Sequence, residues 1–150
     1  MRIIIDADAI PSVIKDILFR AADRNRIPLI LVANQVLKFP ESEHISVIVV
    51  PAGHDEADDK IAEIAEPGDL VVTDDIPLAD RAVRKGGHVI DTRGRLLTEA
   101  NIGERLSMRN MLDALRNGGI DTGGPAPFTS RDRQAFANQL DRFLTKNKNL

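Results

Sequence analysis

The stretch that decides the fold is Ile3-Ile4-Ile5-Asp6-Ala7-Asp8, a run of β-branched residues that ends in two aspartates. A second stretch, Asp69-Leu70-Val71-Val72-Thr73-Asp74-Asp75, repeats this pattern of apolar residues followed by acids. Consecutive apolar positions are typical of strands that are buried on both faces of a parallel sheet. Ligands of open α/β sheets bind outside the carboxyl ends of the strands. The sequence therefore predicts an acidic site at that edge of the sheet.

Strands and helices alternate along the rest of the chain, which predicts an α/β three-layer sandwich with a mainly parallel sheet of about five strands. The predicted strands are residues 2–5, 28–33, 45–50, 70–73 and 88–90. The predicted helices are residues 11–24, 55–65 and 77–85, followed by C-terminal helices at 107–116 and 130–145. Ser107 is the expected N-cap of the fourth helix, and Gly118-Gly119 its end. We expect residues 1–150 to form a single domain, because the last helix alone has too little apolar surface to fold by itself.

Composition excludes several classes of function. The chain has no cysteine, which excludes disulfides and thiolate sites. No apolar stretch approaches the roughly 20 residues that span a bilayer, and no leader peptide is evident. We therefore expect a cytoplasmic protein that does not associate with a membrane. The net charge of −3 conceals a division: residues 1–80 hold 7 basic and 16 acidic side chains, whereas residues 81–150 hold 13 and 7. Such asymmetry can mark a polyanionic partner or a surface of mixed charge.

Acids follow two of the predicted strands. Asp6 and Asp8 are two residues apart, so in extended chain they project to the same side and repel each other unless a cation or proton lies between them. Asp8 alternatively caps the first helix. Asp75 is a natural N-cap for the helix at 77–85, which leaves Asp74 as the better ligand candidate of that pair.

A third acidic group, His54-Asp55-Glu56-Ala57-Asp58-Asp59, opens a predicted helix. Asp58 lies at the edge of the apolar stripe of this helix, whereas Asp59 points away from it. Acids in a first turn are favoured by the helix dipole, but four of them repel one another. Oxygen ligands of this kind suit Mg²⁺ or Mn²⁺. We predict a metal-dependent catalytic cluster of Asp6, Asp8, Asp58 and Asp74, in which two metals about 4 Å apart would activate a water and stabilise the leaving oxygen of a phosphodiester.

Other motifs for metal or nucleotide binding are not present in the sequence. His44, His54 and His88 lack the spacing of a zinc site, and neither a P-loop nor a G-x-G-x-x-G motif occurs.

Several motifs together resemble one family. They are Asp6-Ala7-Asp8-Ala9-Ile10-Pro11, Leu31-Val32-Ala33-Asn34-Gln35, Asp55 with Ala57-Asp58, residues 69–79, residues 101–109, Thr122-Gly123-Gly124-Pro125 and residues 131–136. The chain is thereby identified as a member of the uncharacterised YaiI/YqxD family (UPF0178 type), which is grouped with the PIN-like nuclease superfamily. The resemblance implies a PIN-like fold and a nuclease-like site.

The acidic motifs are also similar to those of bacterial 5′-nuclease domains, which bind divalent metal. By that likeness Asp6, Asp58, Asp59 and Asp74 would bind metal, supported by Asp8, Asp55, Glu56 and Asp75.

A nucleic-acid substrate, RNA rather than DNA, requires cations that meet its phosphates. The candidates are Arg81, Arg84, Lys85, Arg93, Arg95, Arg105, Arg109, Arg131 and Arg133. Gly123-Gly124 would allow a phosphate backbone to approach closely, and Asn34 would orient a water or phosphate. The alternative for these residues is a plain turn and a solvated charged surface. Five phenylalanines and no tryptophan or tyrosine disfavour binding by base stacking.

Two other functions remain open on the sequence alone. A strand that ends in Asp-x-Asp also begins aspartyl-nucleophile phosphatase sites, in which Asp6 would form a phosphoaspartate and Asp8 would act as acid and base. That class requires Ser or Thr after the second strand, where this chain has Ala33-Asn34. The third possibility is a module that binds RNA or a protein without turnover. The oligomeric state stays open.

Overall fold

The computed structural model describes residues 1–124 and 126–147, so Pro125 of the Gly-Gly-Pro motif and residues 148–150 lie outside the described residues. Within these ranges the strands are β1 Ile3–Asp6, β2 Leu29–Ala33, β3 Ile45–Val49, β4 Leu70–Val72, β5 His88–Ile90 and β6 Leu96–Leu97. The helices are α1 Ser12–Asn25, α2 Glu56–Ile64, α3 Ile76–Arg84, α4 Glu99–Asn117 and α5 Ser130–Asn147.

The strands form one sheet in the order β3-β2-β1-β4-β5-β6. All neighbouring pairs are parallel except β5 and β6. Ile5 of β1 aligns with Leu31 of β2 on one side and with Val72 of β4 on the other, so the carboxyl ends of these three strands lie side by side. The predicted α/β sandwich is confirmed. The sheet has a sixth strand that the sequence did not predict, because β6 is two residues long and shows no periodicity.

Apolar residues of the strands alternate between two cores. Ile3 and Ile5 face the core under α1 and α5, whereas Ile4 faces the core under α2 and α3. All three are fully buried, as expected for a strand covered on both faces. Phe136, which lies on α5 and is also fully buried, is the largest such side chain of the first core.

The fourth helix differs from the prediction. It begins eight residues earlier than expected, at Glu99, with Thr98 as the N-cap rather than Ser107. The Thr98 N–H donates to Asn101 Oδ1 at 2.9 Å, which fixes this start. Gly103 lies inside the helix and weakens its propensity, which is why the sequence placed the start too late. Gly118 ends the helix, as predicted.

Two apolar residues do not lie where helical spacing predicts. The i, i+3, i+4 spacing of apolar residues predicts that Val13 of α1 and Ala135 of α5 face the core, but Val13 is 41% exposed and Ala135 is exposed. Ala135 instead lies against the β5–β6 turn, where a Cβ on Gly94 would meet its backbone at 2.5 Å. Backbone contact there replaces side-chain packing.

The order of the strands creates a switch point. The chain runs outward from β1 through β2 to β3 and then crosses to β4 on the other side of β1. Crevices at such a reversal, outside the carboxyl ends of the strands, are the usual ligand sites of open α/β sheets.

Within the described residues, no helix combines the length and the apolar composition that are needed to span a bilayer.

Candidate active site

Three acids converge at the switch point from three different elements. Asp6 ends β1, Asp58 lies in the first turn of α2, and Asp75 is the N-cap of α3. The carboxyl groups of Asp6 and Asp75 lie close enough to Asp58 for their charges to raise its pKa, and Asp75 has the same effect on Asp6. The fold therefore brings together carboxylates that are far apart in the sequence.

The carboxylates of Asp6, Asp58 and Asp75, here called the acidic cluster, repel one another. Burial, followed by repulsion from Asp75 and Asp6, raises the pKa of Asp58 from its ordinary value to about 6. Burial also raises the pKa of Asp6, and the carboxylates of Asp8 and Asp75 add to that effect. A proton or a cation between the carboxylates would relieve this repulsion. Perturbed acids in a cleft are typical of functional sites.

The loop after β1 is held by hydrogen bonds. The Asp8 N–H donates to Asp6 Oδ1 at 3.1 Å, and the Asn34 N–H donates to Asp8 Oδ2 at 2.8 Å. The Asp8 carboxylate thus reaches across to the end of β2 and does not cap α1, whose N-cap residue is Pro11. Lys15 Nζ donates to the Ala7 carbonyl at 3.1 Å from the other side. Sequence reasoning missed Lys15, although it is the one cation in the first turns of α1.

An open pocket of about 120 Å³ lies between this loop and the start of α2. Its polar lining is Asp6, Asp8, Asn34, Asp55, Glu56 and Asp58. Asp55 has φ 65°, a left-handed conformation that is unusual for a residue other than glycine. Strained backbone of this kind is concentrated at functional sites.

The remaining predicted acids are engaged elsewhere. Asp74 accepts from the N–H of Thr92 at 2.8 Å and from its hydroxyl at 2.6 Å, so it joins β4 to the residue after β5. Asp59 forms an ion pair with Arg81 at 2.8 Å on the outside of α2 and α3. Asp75, which also accepts from the Leu78 N–H at 2.8 Å, occupies the place in the cluster that the sequence assigned to Asp74.

Thr92 itself was missed by the sequence reading. Like the acids, it follows a buried strand at the carboxyl edge, and this position was the available signal.

None of the arginines or glycines that the sequence predicts as phosphate contacts lines the acidic pocket. Arg131 and Arg133 are exposed in the first turn of α5, whereas Arg105 is partly buried on α4. Arg109 pairs with Asp113 at 3.1 Å. Gly123 and Gly124 both have positive φ, and a Cβ on either would meet open space. Of the predicted substrate residues within the described chain, Asn34 alone lines the acidic pocket.

The donor set suits a hard divalent cation, since every side chain of the cluster offers carboxylate oxygen. Within residues 1–124 and 126–147, however, no three acidic or histidine side chains are arranged close enough to form a complete ligand group.

Comparison with known proteins identifies relatives but no activity. The family model described as "Uncharacterized BCR, YaiI/YqxD family" matches residues 4–146. A UPF0178 protein of Burkholderia vietnamiensis is 59% identical over 146 residues, which cover 97% of each chain. UPF0178 proteins of Burkholderia cenocepacia and Burkholderia ambifaria are 58% and 57% identical over the same share of each chain. No solved structure matches this chain at a significant level.

Proposed function

This chain belongs to the YaiI/YqxD family of uncharacterised proteins, and we propose that it is a divalent-metal-dependent phosphodiesterase of PIN-like type that cleaves RNA. The proposal rests on one observation: Asp58 lies near enough to Asp6 and Asp75, at the switch point of a parallel sheet, for their charges to raise its pKa. Fold stability alone does not account for this, because like charges brought together lower stability.

The acids have separate roles in this proposal. Asp6, Asp58 and Asp75 would hold Mg²⁺ or Mn²⁺, which would supply charge neutralisation for the scissile phosphate and acidify a water. Asp8 is oriented through Oδ2 by the Asn34 N–H, and its Oδ1 accepts no hydrogen bond from the described residues. In this proposal that oxygen would take a proton from the attacking water.

The sheet edge also suits the shape of a polymer. The pocket is open to solvent, so a phosphodiester in an extended strand could reach the carboxylates without entering a closed cavity. The exposed arginines at the start of α5 belong to the same carboxyl edge, because Arg93, in the loop after β5, pairs with Asp132 at 3.0 Å. Phosphates of a bound strand would meet these cations.

A direct test compares metal binding and RNA cleavage by wild type, Asp58→Asn and Asp59→Asn. Asp58 and Asp59 are neighbours on α2, but only Asp58 faces the cluster, so Asp59→Asn is a matched control. We expect calorimetry to show Mn²⁺ binding to wild type and to Asp59→Asn, and loss of about 1.4 kcal/mol or more of binding free energy in Asp58→Asn, a tenfold weaker affinity. Cleavage of a labelled RNA should follow the same order.

Other outcomes would assign a different function. Trapping of a phosphoenzyme that Asp6→Asn abolishes would indicate an aspartyl-nucleophile phosphatase. RNA binding without cleavage at saturating Mn²⁺ would indicate a binding module. Equal Mn²⁺ affinity in wild type and Asp58→Asn would refute the proposed metal centre.

A further inference from the structure

A second concave site lies at the opposite edge of the sheet. It is a groove of about 660 Å³ between the α3–β5 turn, β6, the first turn of α4 and the last turns of α5. His88, the first residue of β5, lines it, so the groove opens at the amino ends of the parallel strands and not at the acidic edge. Its volume lies within the range of small-molecule sites, about 300–1,000 Å³.

The walls of the groove are mainly apolar. The apolar residues of the wall are Val83, Leu97 and Phe143, which are almost fully buried, and Leu96, which is 38% exposed. The ring of Phe143 is held edge-to-face against His88 at 5.0 Å between centroids. The apolar wall is therefore rigid and belongs to the core, which favours a ligand with an apolar body.

One wall also carries two cations. Arg142 and Lys146 are one helical turn apart on α5 and both line the groove. Among the described residues, neither has a carboxylate within 4.0 Å, although most other arginines of the chain are paired. Like charges at this spacing destabilise a helix slightly, and an anion between them would remove that cost.

The first turn of α4 faces these cations across the groove. Thr98, Glu99 and Ala100 line it there, and the amino end of a helix carries a partial positive charge. Glu99 is exposed, so its carboxylate can extend into solvent. The charged lining consists of one carboxylate, Glu99, and two cations, Arg142 and Lys146, so its net charge is positive and favours a negatively charged head group.

We propose that this groove binds a soluble amphipathic anion, a single molecule with a compact apolar body and one carboxylate head held by Arg142 and Lys146. The apolar body would lie against Leu96, Leu97 and Phe143. A membrane surface is a different ligand, since this site is a concave groove bordered by four elements and not a flat face. This site is independent of the proposed phosphodiesterase activity.

The test uses the full chain with decanoate below its micellar concentration. An anionic apolar dye, anilinonaphthalene sulfonate, reports occupancy by its fluorescence, and decanoate should displace it from one saturable site. Decyltrimethylammonium has the same chain length with a cationic head and should not displace the dye. We expect Arg142→Gln/Lys146→Gln to weaken decanoate binding about tenfold, because two exposed ion pairs together amount to about one power of ten in affinity.

Two further variants make the result specific. Leu96→Glu places a negative charge on the partly exposed apolar wall and should abolish decanoate binding without unfolding the chain. Arg20→Gln/Lys38→Gln removes two exposed cations distant from the groove and should leave the affinity unchanged. Equal displacement by both head groups, unchanged affinity in Arg142→Gln/Lys146→Gln, or binding only to anionic vesicles would overturn the proposal.

Discussion

Replacement of Asp58 by Asn should make the metal-free protein more stable at pH 8. The pKa of Asp58 is raised to about 6, so the folded chain must hold an unfavourable charge above that pH. Relative to the ordinary value of 3.8, the penalty is at most about 3 kcal/mol at about 1.4 kcal/mol per pH unit. The side chain is partly exposed, and solvent screening reduces this to about 1.5 kcal/mol. Asn lacks the charge, so we expect a gain of that size.

The stability difference between Asp58→Asn and wild type should depend on pH. A folded-state pKa above the unfolded one favours folding below about pH 4, and that contribution is lost as the pH rises through 6. The advantage of Asp58→Asn should therefore appear between pH 4 and pH 7 and stay constant above. Thermal unfolding in EDTA would show it as a rise of about 3–6 °C at pH 8 for a domain of this size.

The matched variant is Asp74→Asn. Both Asp74 oxygens accept hydrogen bonds from Thr92, and these bonds weaken when the acceptor loses its charge, so we expect the free energy of unfolding to fall by about 1 kcal/mol.

Addition of Mn²⁺ should stabilise wild type but not Asp58→Asn. If Asp58→Asn is less stable than wild type at pH 8, or if the two differ equally at pH 4 and pH 8, the account of the acidic cluster is wrong.

Two further substitutions test the scaffold. Burial raises the pKa of Asp69, but hydrogen bonds from Arg2 and the Glu66 N–H outweigh it and leave that pKa below its ordinary value. Asp69→Asn should therefore cost about 2–4 kcal/mol in urea denaturation at pH 7, and the loss should shrink as the pH falls below 4; equal costs at both pH values would contradict it. Gly94→Ala should cost more than about 2 kcal/mol in the same assay, because its Cβ would meet the Ala135 backbone at 2.5 Å and φ is +85°. A near-neutral result would show that the turn moves freely away from α5.

The sequence predicted the acidic edge because its signal is local. Three apolar residues followed by an acid identify both the strand and its carboxyl end, and parallel strands then place Asp6 beside the end of β4. The choice between Asp74 and Asp75 could not be made in the same way. It depends on Thr92, which lies 18 residues away and takes both oxygens of Asp74. A contact of that range has no periodic signature.

The start of α4 and the groove beside it also could not be predicted from the sequence. Propensity placed the start of α4 after Gly103, whereas the structure begins it at Glu99, where Thr98 and Asn101 fix the first turn. The amino end of α4 therefore lies in one wall of the groove, across from Arg142 and Lys146 of α5. Leu96 and Leu97 gave no strand pattern, so neither the edge strand nor the cavity beside it could be predicted.

The acids that stabilise the fold differ from those of the acidic cluster in their charged partners. Asp69 and Asp91 are as buried as core residues, yet each has a basic partner: Arg2 at 2.7 Å and Arg95 at 2.7 Å. Carboxylates that serve the fold are paired in this way. Asp58, by contrast, is repelled by the carboxylates of Asp75, Asp6 and Asp55, which help to raise its pKa. We propose that a divalent cation with a bound phosphate would supply the positive charge that these acids lack, and the Mn²⁺ response of Asp58→Asn tests this proposal.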